Sequence, residues 1–299
     1  MTKIKKADGW QIASHVVLGV FSLMAVIPFI LLVIASFSDN QWVMANGISF
    51  FPKEWSTSAY AYILNEWGTI GRAYLMTIIV TVIGTVLSVL LTTTLAYALT
   101  DKSLPGVKIL SFLCIFTMLF NGGIVASFYV WVNVFNIRNT IWALIFPNLM
   151  MNAFNIILVK NYYNSSIPDS LKEAARIDGA GEIRIFTQIV FPLSKPIIAT
   201  IGLMTAIAYW NDWTNGLYYL TERNGSQYYT IQLVLNTINE NISFLASHAG
   251  QSGAISVADI PSTTVRMAIA VVGVIPILIA YPFFQKYFVK GITLGGVKE

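Results

Sequence analysis

The sequence has few charged residues and a single cysteine. Charged residues make up 11% of its 299 residues and hydrophobic residues 56%, whereas about a quarter of the residues of a soluble globular domain are charged. This balance favours a membrane protein over a water-soluble fold. Cys114 has no second cysteine with which to form a disulfide, and it lies in an apolar run where it serves as a small core or lipid-facing residue.

Groups that carry out catalysis or bind metals are also scarce. The 2 histidines and 1 cysteine predict no metal-ligand cluster. No Gly-Lys pair occurs, so the phosphate-binding loop of P-loop ATPases is missing, and neither HExxH nor GxSxG is present. We therefore expect no catalytic residue and no metal site in this chain. The net charge of +4 is spread along the sequence, which argues against nucleic-acid binding.

What the sequence has instead is long apolar runs. A membrane-spanning helix needs about 20 apolar residues, and runs of this length without two-residue alternation predict helices rather than barrel strands. We predict an all-α membrane domain covering 1–299 with six transmembrane helices, the first being too long for a signal peptide. The predicted spans are 12–36, 73–99, 107–135, 141–159, 197–220 and 267–284.

The positive charges predict the orientation, because Lys and Arg accumulate in cytoplasmic loops. Of the 18 Lys and Arg residues, only five fall outside if the N-terminus lies in the cytoplasm. These are Lys53, Arg72, Arg138, Arg223 and Arg266. The cytoplasmic set is Lys3, Lys5, Lys6, Lys102, Lys108, Lys160, Lys172, Arg176, Arg184, Lys195, Lys286, Lys290 and Lys298. Both termini are therefore predicted to be cytoplasmic.

The predicted spans are nearly free of ionisable residues. An ion-coupled transporter needs groups that titrate or bind the ion at membrane depth, and Asp212, near the outer end of the fifth span, is the main exception. We expect any uphill transport to draw its energy from another chain, and this disfavours an ion-coupled transporter or channel.

The cytoplasmic connection at 160–196, named here the coupling loop, predicts two short helices with a break. Pro168 suits a first helical turn and Asp169 the positive end of a helix dipole. Leu171, Ala174 and Ala175 are predicted to share one face, and Gly179 and Gly181 allow a sharp turn. The second helix is predicted to carry Ile183, Phe186, Ile189 and Val190 on one side. By pattern alone, the segment also fits an amphipathic helix at the membrane interface.

The coupling loop resembles the EAA loop of ABC importer permeases. The matching residues are Glu173-Ala174-Ala175, Asp178-Gly179-Ala180, Phe186, Ile189, Pro192 and Pro196, with Phe191 where the family usually has leucine. The resemblance implies a type I permease fold in a bacterial inner or plasma membrane. It also implies a helix that docks into the ATPase, with Leu171, Glu173, Ala174, Ala175, Asp178, Gly179, Ala180 and Phe186 as coupling residues. Glu173 would pair with a basic residue of that ATPase.

The same resemblance implies the partners and cofactors. A second homologous permease would complete a heterodimer, an ATP-binding subunit dimer would dock below, and an extracellular or periplasmic solute-binding protein would deliver substrate. ATP and Mg would be bound by the ATPase and no cofactor by this chain. Contacts with membrane lipid are expected, and none with nucleic acid.

Two further stretches are similar to the carbohydrate-uptake branch, in particular to the second permease of the maltose importer. They are Trp210-Asn211-Asp212-Trp213, and Pro276 with the run from Gln285 to Gly291. An oligosaccharide is therefore the expected substrate, with a peptide or an amino acid as the alternative. Aromatic faces and amide or carboxylate groups suit a sugar. The candidate path residues are Asn121, Trp210, Asn211, Asp212, Trp213 and Asn215.

Structural roles for these path candidates remain open. The tryptophans also fit an aromatic belt at the outer interface, with Asp212 solvated there. Asn121, Gly122 and Gly123 suggest a broken helix in the third run. The stripe of Asn148, Asn152 and Asn155 also fits helix-to-helix hydrogen bonding.

Overall fold

A computed structural model describes residues 9–248 and 263–296, and in this part of the chain the regular structure is helical. The predicted all-α class is confirmed for these residues. The cytoplasmic lysines predicted at positions 3, 5, 6 and 298 lie outside the described residues. The chain forms two compact units, Met1–Gly68 with Thr237–Ile275, and Thr69–Asn236 with Pro276–Glu299.

The first unit begins with α1 (Gly9–Ser36), followed by α2 (Asn40–Asn46) and α3 (Ser58–Asn65). Exposed apolar side chains cover α1 along most of its length, as expected of a helix that faces lipid or another protein. The Ser36 hydroxyl lies 2.8 Å from the Tyr60 hydroxyl and ties α1 to α3. The Asp39 side chain accepts a hydrogen bond from the Trp42 N–H and caps α2.

The second unit is built around α4 (Trp67–Ala98), whose buried face consists largely of small residues. Gly84 lies on this face so close to α12 (Lys195–Trp210) that a Cβ atom there would be 2.5 Å from Cζ of Tyr209. Small residues let membrane helices approach this closely. The Thr77 and Thr93 hydroxyls donate to carbonyls four residues earlier, so these polar groups are satisfied inside an apolar helix.

Several predicted spans are interrupted, and the remaining helices are mostly short. They are α5 (Val107–Leu119), α6 (Gly123–Tyr129) continued by a π-helical turn (Val130–Val134), α7 (Trp142–Ile145), α8 (Ala153–Ser166), α9 (Asp169–Ile177), α10 (Glu182–Ile185) continued by a π-helical turn (Phe186–Val190), α11 (Phe191–Leu193), α13 (Thr214–Tyr219), α14 (Glu222–Gly225) followed by a 3₁₀ turn (Ser226–Tyr228), α15 (Ile231–His248) and α16 (Thr263–Gly296).

The prediction of one helix over 141–159 is wrong. The chain leaves α7 after Ile145 and resumes a helix only at Ala153, and α8 then runs past the predicted boundary to Ser166. Pro147 lacks the N–H that a helix interior needs, and Asn148 has a φ of 62° that a right-handed helix cannot contain. The apolar composition of the run masked both interruptions.

Two other predicted spans are broken and one is extended. Phe120–Gly122 interrupts the third run where the Asn-Gly-Gly sequence suggested a break, and residues 211–213 separate α12 from α13 in the fifth. α16 extends beyond 267–284 at both ends. The segment 221–266, between the fifth and sixth predicted spans, includes all of α15.

By length and composition, α1 and α4 can each cross a membrane. A third candidate is the helix pair Glu182–Leu193 and Lys195–Trp210, which is bent by 81°. Three shorter apolar helices span Val107–Leu119, Gly123–Val134 and Thr263–Ile279. Among the described residues, α1 and α4 are thus long and apolar enough to be uninterrupted spans, whereas the predicted spans 107–135, 141–159 and 197–220 are interrupted.

Two large buried clusters help to hold the second unit together. The first joins the end of α4, the start of α5, α8 and the α10–α12 region through Ala96, Leu99, Val107, Ile156, Val159, Tyr162, Tyr163, Ile167, Ile185, Val190, Ile197 and Ile201. We name it the loop-side core, because the coupling loop packs on it. The second cluster contains Val80, Leu144, Ile145, Tyr209, Leu220 and Leu233.

Candidate functional site

The first helix of the coupling loop, α9, starts at Asp169. Pro168 precedes it in an extended conformation, so this proline lies one residue before the first turn and not within it as predicted. Lys172 Nζ lies 2.6 Å from Asp169 Oδ1, and the lysine side chain is only 10% exposed. The hydrogen bond from Lys172 lowers the pKa of the Asp169 carboxyl. The pair fixes the start of the helix with a negative charge at its positive end.

The end of α9 is a sharp, left-handed stop at Gly179. The Gly179 N–H donates to the Arg176 carbonyl at 3.0 Å, and the Ala180 N–H donates to the Ala175 carbonyl at 2.9 Å. This pair of bonds is the Schellman motif. It requires a residue with positive φ, and Gly179 has a φ of 77°. The predicted bend after Ile177 therefore exists, and it belongs to Gly179, since Gly181 is extended.

The outer surface of the coupling loop carries exposed apolar side chains. Leu171 is 44% exposed, Ile177 86% and Ile183 82%. Ala174 is exposed as well, whereas Ala175 and Ala180 pack against the loop-side core. The predicted common face of Leu171, Ala174 and Ala175 is thus wrong for Ala175. We call Leu171, Ala174, Ile177 and Ile183 the apolar surface of the loop.

The second arm of the loop, α10 with its π-helical turn, does not keep all the predicted residues on one side. Ile185 and Val190 are buried, and Phe186 packs on the loop-side core. Ile183 points outward and does not join them. The π-helical turn at Phe186–Val190 explains the error, because its five-residue hydrogen-bond spacing shifts side chains off the regular helical pattern.

Glu182 connects three elements at the base of the loop. Its Oε1 accepts a hydrogen bond from Arg176 Nε at 2.8 Å, across the Gly179 bend. Its Oε2 accepts from the Tyr97 hydroxyl at 2.6 Å, on α4. The hydrogen bonds from Arg176 and Tyr97 lower the pKa of the Glu182 carboxyl. The Tyr97 ring also lies 5.3 Å from the ring of Phe186.

A pocket of about 760 Å³ opens beside this connection. Its walls are the end of α4, the turn that follows and one side of α9, and they include Glu173 and Lys102. Sequence reasoning found Glu173 but missed Tyr97 and Glu182. Eighty-five positions separate these two residues, and no local pattern signals such a contact.

The predicted path residues around Trp210 divide into buried and exposed side chains. Trp210 is 6% exposed and its ring packs edge-on against Tyr74 at 5.9 Å. Asn215 is buried, and its Nδ2 donates to the Pro147 carbonyl at 3.0 Å. Asn211 is exposed and Trp213 is 39% exposed. Of these, Asn211 and Trp213 have a surface that a ligand can reach in this chain.

Asp212 has a structural partner set of its own. Its Oδ1 accepts hydrogen bonds from the backbone N–H groups of Thr214 at 3.2 Å and Asn215 at 3.4 Å. Its carbonyl accepts from the Thr230 hydroxyl at 3.4 Å. The carboxylate thus accepts hydrogen bonds from backbone N–H groups at the start of α13, as a helix-capping side chain does.

Asn121 lies in the break between α5 and α6. Its side chain is exposed, and its Oδ1 accepts a hydrogen bond from the Gly123 N–H at 2.8 Å. Gly123 has a φ of 79°, which accounts for the glycine at this point.

The predicted stripe of Asn148, Asn152 and Asn155 does not lie on one helix. Asn148 lies in a turn, Asn152 caps α8 by accepting from the Asn155 N–H, and Asn155 is buried. Within the described ranges, no group of three His, Cys, Asp or Glu residues could hold a metal ion.

Comparison with known proteins identifies the architecture. Residues 95–294 match the family described as binding-protein-dependent transport system inner membrane component. The chain belongs to this family. The matched region starts near the end of α4 and contains the coupling loop and the helices α5 to α15. The predicted resemblance to ABC importer permeases is confirmed.

Relatives in this transport family extend the match to nearly the whole chain. A Bacillus subtilis (strain 168) protein named polygalacturonan/rhamnogalacturonan transport system permease protein YtcP is 41% identical, over 93% of this chain and 94% of its own. Protein LplC of the same organism is 34% identical over 100% of this chain and 98% of its own.

A solved structure supports the same assignment. A chain of a bacterial ABC transporter involved in the import of the acidic polysaccharide alginate has a TM-score of 0.77 and 32% identity to this chain. The alignment covers 93% of this chain and 96% of that one. Its fold confirms the predicted type I permease architecture at the level of the whole chain.

Proposed function

We propose that the chain forms half of the translocation path of an ABC importer for an oligosaccharide and is coupled to a separate ATPase through the coupling loop. The observation that carries this proposal is the match of fold and sequence to sugar importer permeases, together with a loop that packs on a buried core and exposes apolar side chains on its other side. The chain supplies the path, and a partner supplies the energy.

We infer an acidic substrate from two of the similar proteins, the relative at 41% identity and the structural neighbour. One relative is named for polygalacturonan and rhamnogalacturonan, and the structural neighbour takes part in importing alginate. Galacturonate units carry carboxylates beside the hydroxyls and apolar ring faces common to all sugars. The exposed Trp213 offers an aromatic face for such a ring, and Asn211 offers donors and acceptors.

The proposed setting is a bacterial cell membrane crossed six times, with both termini in the cytoplasm. The apolar exposed surface of α1 and the length of α4 support two of these crossings. The shorter apolar helices and the bent pair leading into α12 would make up the rest, in contact with a second permease. The excess of Lys and Arg on one side supports the orientation.

The coupling loop is proposed to dock into the ATPase through its apolar surface, Leu171, Ala174, Ile177 and Ile183. These side chains are exposed in the chain alone, and apolar side chains gain by leaving water. Glu173 lies on the wall of the adjacent pocket, where a basic residue of the ATPase can reach it. Asp178 and Gly179 would then fix the angle between α9 and α10. Gly179 does so through its positive φ.

The remaining partners follow from the same proposal. A homologous permease completes the path, an extracellular or periplasmic binding protein delivers the sugar, and ATP with Mg binds to the ATPase dimer. ATP-driven closure of that dimer would move α9 and switch the path between inward-open and outward-open states.

Uptake by the reconstituted complex tests this proposal. The complex is placed in proteoliposomes with ATP inside, and uptake of a labelled galacturonate oligosaccharide is measured in competition with unlabelled galacturonate oligosaccharides and with peptides. ATP-dependent uptake that sugars compete for, and peptides do not, supports the proposal. Competition by peptides or amino acids alone contradicts the substrate class. Uptake that survives without ATP and collapses with an uncoupler contradicts the ATP coupling and favours an ion-coupled transporter.

A further inference from the structure

The coupling loop has a polar connection to α4 that its sequence motif does not include. We propose that Tyr97, Arg176 and Glu182 form a clamp. This clamp makes α4 and the two helices of the coupling loop, α9 and α10, move as one body during transport. This inference rests on the proposed function, and it assigns positioning roles to three residues outside the predicted coupling set.

The clamp works through the two oxygens of one carboxylate. Oε1 of Glu182 is occupied by Arg176 from α9 at 2.8 Å, and Oε2 by Tyr97 from α4 at 2.6 Å. Hydrogen bonds to a charged group are shorter and stronger than those between neutral groups. Glu182 is the first residue of α10, so its carboxylate joins α9 and α4 to the start of that helix.

The clamp spans the bend of the loop at Gly179. Gly179 lies between Arg176 and Glu182, and a Cβ added at Gly179 would meet no atom within 4 Å. The space beside the Cα of Gly179 is therefore open, and the neighbouring contacts with the loop-side core are made by Ala175 and Ala180. The bond between Arg176 and Glu182 closes the bend from the inside, so that the angle between α9 and α10 is held.

Apolar contacts support the clamp on the side of α4. The Tyr97 ring lies 5.3 Å from Phe186, and Tyr97, Ala175 and Phe186 all pack on the loop-side core. A force on α9 therefore reaches α4 by two routes, one through the carboxylate and one through the rings. Removing the tyrosine hydroxyl separates the two, because it leaves the ring in place.

The exposure of the pair indicates positioning rather than stability. The side chains of Arg176 and Glu182 are 44% and 55% exposed, and ion pairs in contact with solvent contribute little to folding. Their pairing geometry can still decide how the loop transmits force. The hydrogen bonds that lower the pKa of Glu182 keep it ionised at neutral pH, so the clamp is closed under working conditions.

The test uses the complete complex in proteoliposomes and compares sugar molecules transported per ATP hydrolysed. The variants are Tyr97→Phe, Glu182→Gln and Arg176→Glu, and the charge swap Arg176→Glu with Glu182→Arg. Coupling residues outside the binding sites typically change coupling about 2- to 30-fold, and a fall in the transport ratio in that range is expected for each single variant. The swap is expected to recover part of the loss.

The matched control is Arg184→Gln, which removes a nearby charge whose hydrogen bond, to Gln188, stays within one arm. It is expected to keep the wild-type ratio. The clamp is contradicted if Tyr97→Phe and Glu182→Gln transport with the wild-type ratio, or if the control falls equally. Co-purification of the ATPase distinguishes a failure of the clamp from a failure of the proposed function. A wild-type complex that holds no ATPase contradicts the function itself, whereas wild-type ratios in all variants contradict only the clamp.

Discussion

Gly84 of α4 faces the ring of Tyr209 in α12 with no room for a side chain between them. A methyl group at position 84 would lie 2.5 to 2.7 Å from three ring carbons. The ring cannot move aside easily, because Tyr209 is buried and its hydroxyl donates to the Ile145 carbonyl at 2.8 Å. This contact brings α4, α7 and α12 together in the second unit.

Gly84→Ala is therefore expected to destabilise the protein. Overpacking of this kind costs about 1 to 3 kcal/mol, partly offset by the better helix propensity of alanine, about 1 kcal/mol. The control is Gly68→Ala in the same helix, where a Cβ meets no atom within 4 Å. We expect a lower thermal midpoint in detergent for Gly84→Ala and an unchanged or higher one for Gly68→Ala. Equal midpoints would contradict the close approach.

The bend at Gly179 is expected to be intolerant of side chains. Gly179→Ala forces a non-glycine residue into a left-handed conformation at a cost of about 1 to 2 kcal/mol, and the bend relaxes to another angle. Transport should fall while the protein still inserts. Gly181→Ala is the control, because Gly181 has a φ of −72° that alanine adopts freely. Normal uptake by Gly179→Ala and Gly179→Asp would contradict a role of this bend in coupling transport to the ATPase.

Ala175→Glu is expected to uncouple transport for a different reason. Ala175 packs against the loop-side core, and a carboxylate there would have to leave water or push α9 away. ATP hydrolysis measured against sugar uptake should show hydrolysis without transport. Ala174→Glu, on the exposed side of the same helix, leaves the packing beneath α9 untouched. A thermal midpoint that falls for Ala174→Glu and not for Ala175→Glu would reverse the assignment of faces.

The apolar surface of the loop is expected to hold the ATPase. Ile177→Asp and Ile183→Asp place charges on side chains that are 86% and 82% exposed, so folding is unaffected, whereas docking would bury the new charges. The amount of ATPase that co-purifies should fall for both variants. Ser165→Asp, exposed on α8, should retain it. Full retention by the two isoleucine variants would place the docking surface elsewhere.

The two neighbouring tryptophans are expected to differ. Trp210→Ala removes a buried side chain that packs on Tyr74 and should cost about 3 to 5 kcal/mol of stability. Trp213→Ala removes a ring that is 39% exposed and should lower sugar uptake at an unchanged thermal midpoint. The comparison is decided by measuring both quantities on both variants. Loss of stability in Trp213→Ala with normal uptake would remove it from the path.

Local chemistry explains which features could be predicted from the sequence. The Gly179 bend, the start of α9 and the break at Asn121 follow from glycine, proline and asparagine at particular positions, because these residues restrict or release the backbone directly. The broken run at 141–159 was missed, since its apolar composition resembles a continuous span although Pro147 interrupts it.

Long-range contacts explain most of what was missed in the candidate site. Tyr97 and Glu182 meet only because α4 and α10 pack on the same core, and no spacing rule in the sequence contains that contact. A regular helical period places Ile183 on the same side as Val190, and the π-helical turn after Ile185 shifts that period. The chemistry of Trp210 and Asn215 suits a sugar, but both side chains are buried and have partners within the chain.

The most direct test of the central claim is to purify the tagged chain from its native membranes in mild detergent and to identify the proteins that accompany it by mass spectrometry. The account predicts a P-loop ATPase and a second, homologous permease in a stable complex with this chain. Recovery of the chain alone, or only as a homo-oligomer, from detergent complexes shown to be intact would contradict it.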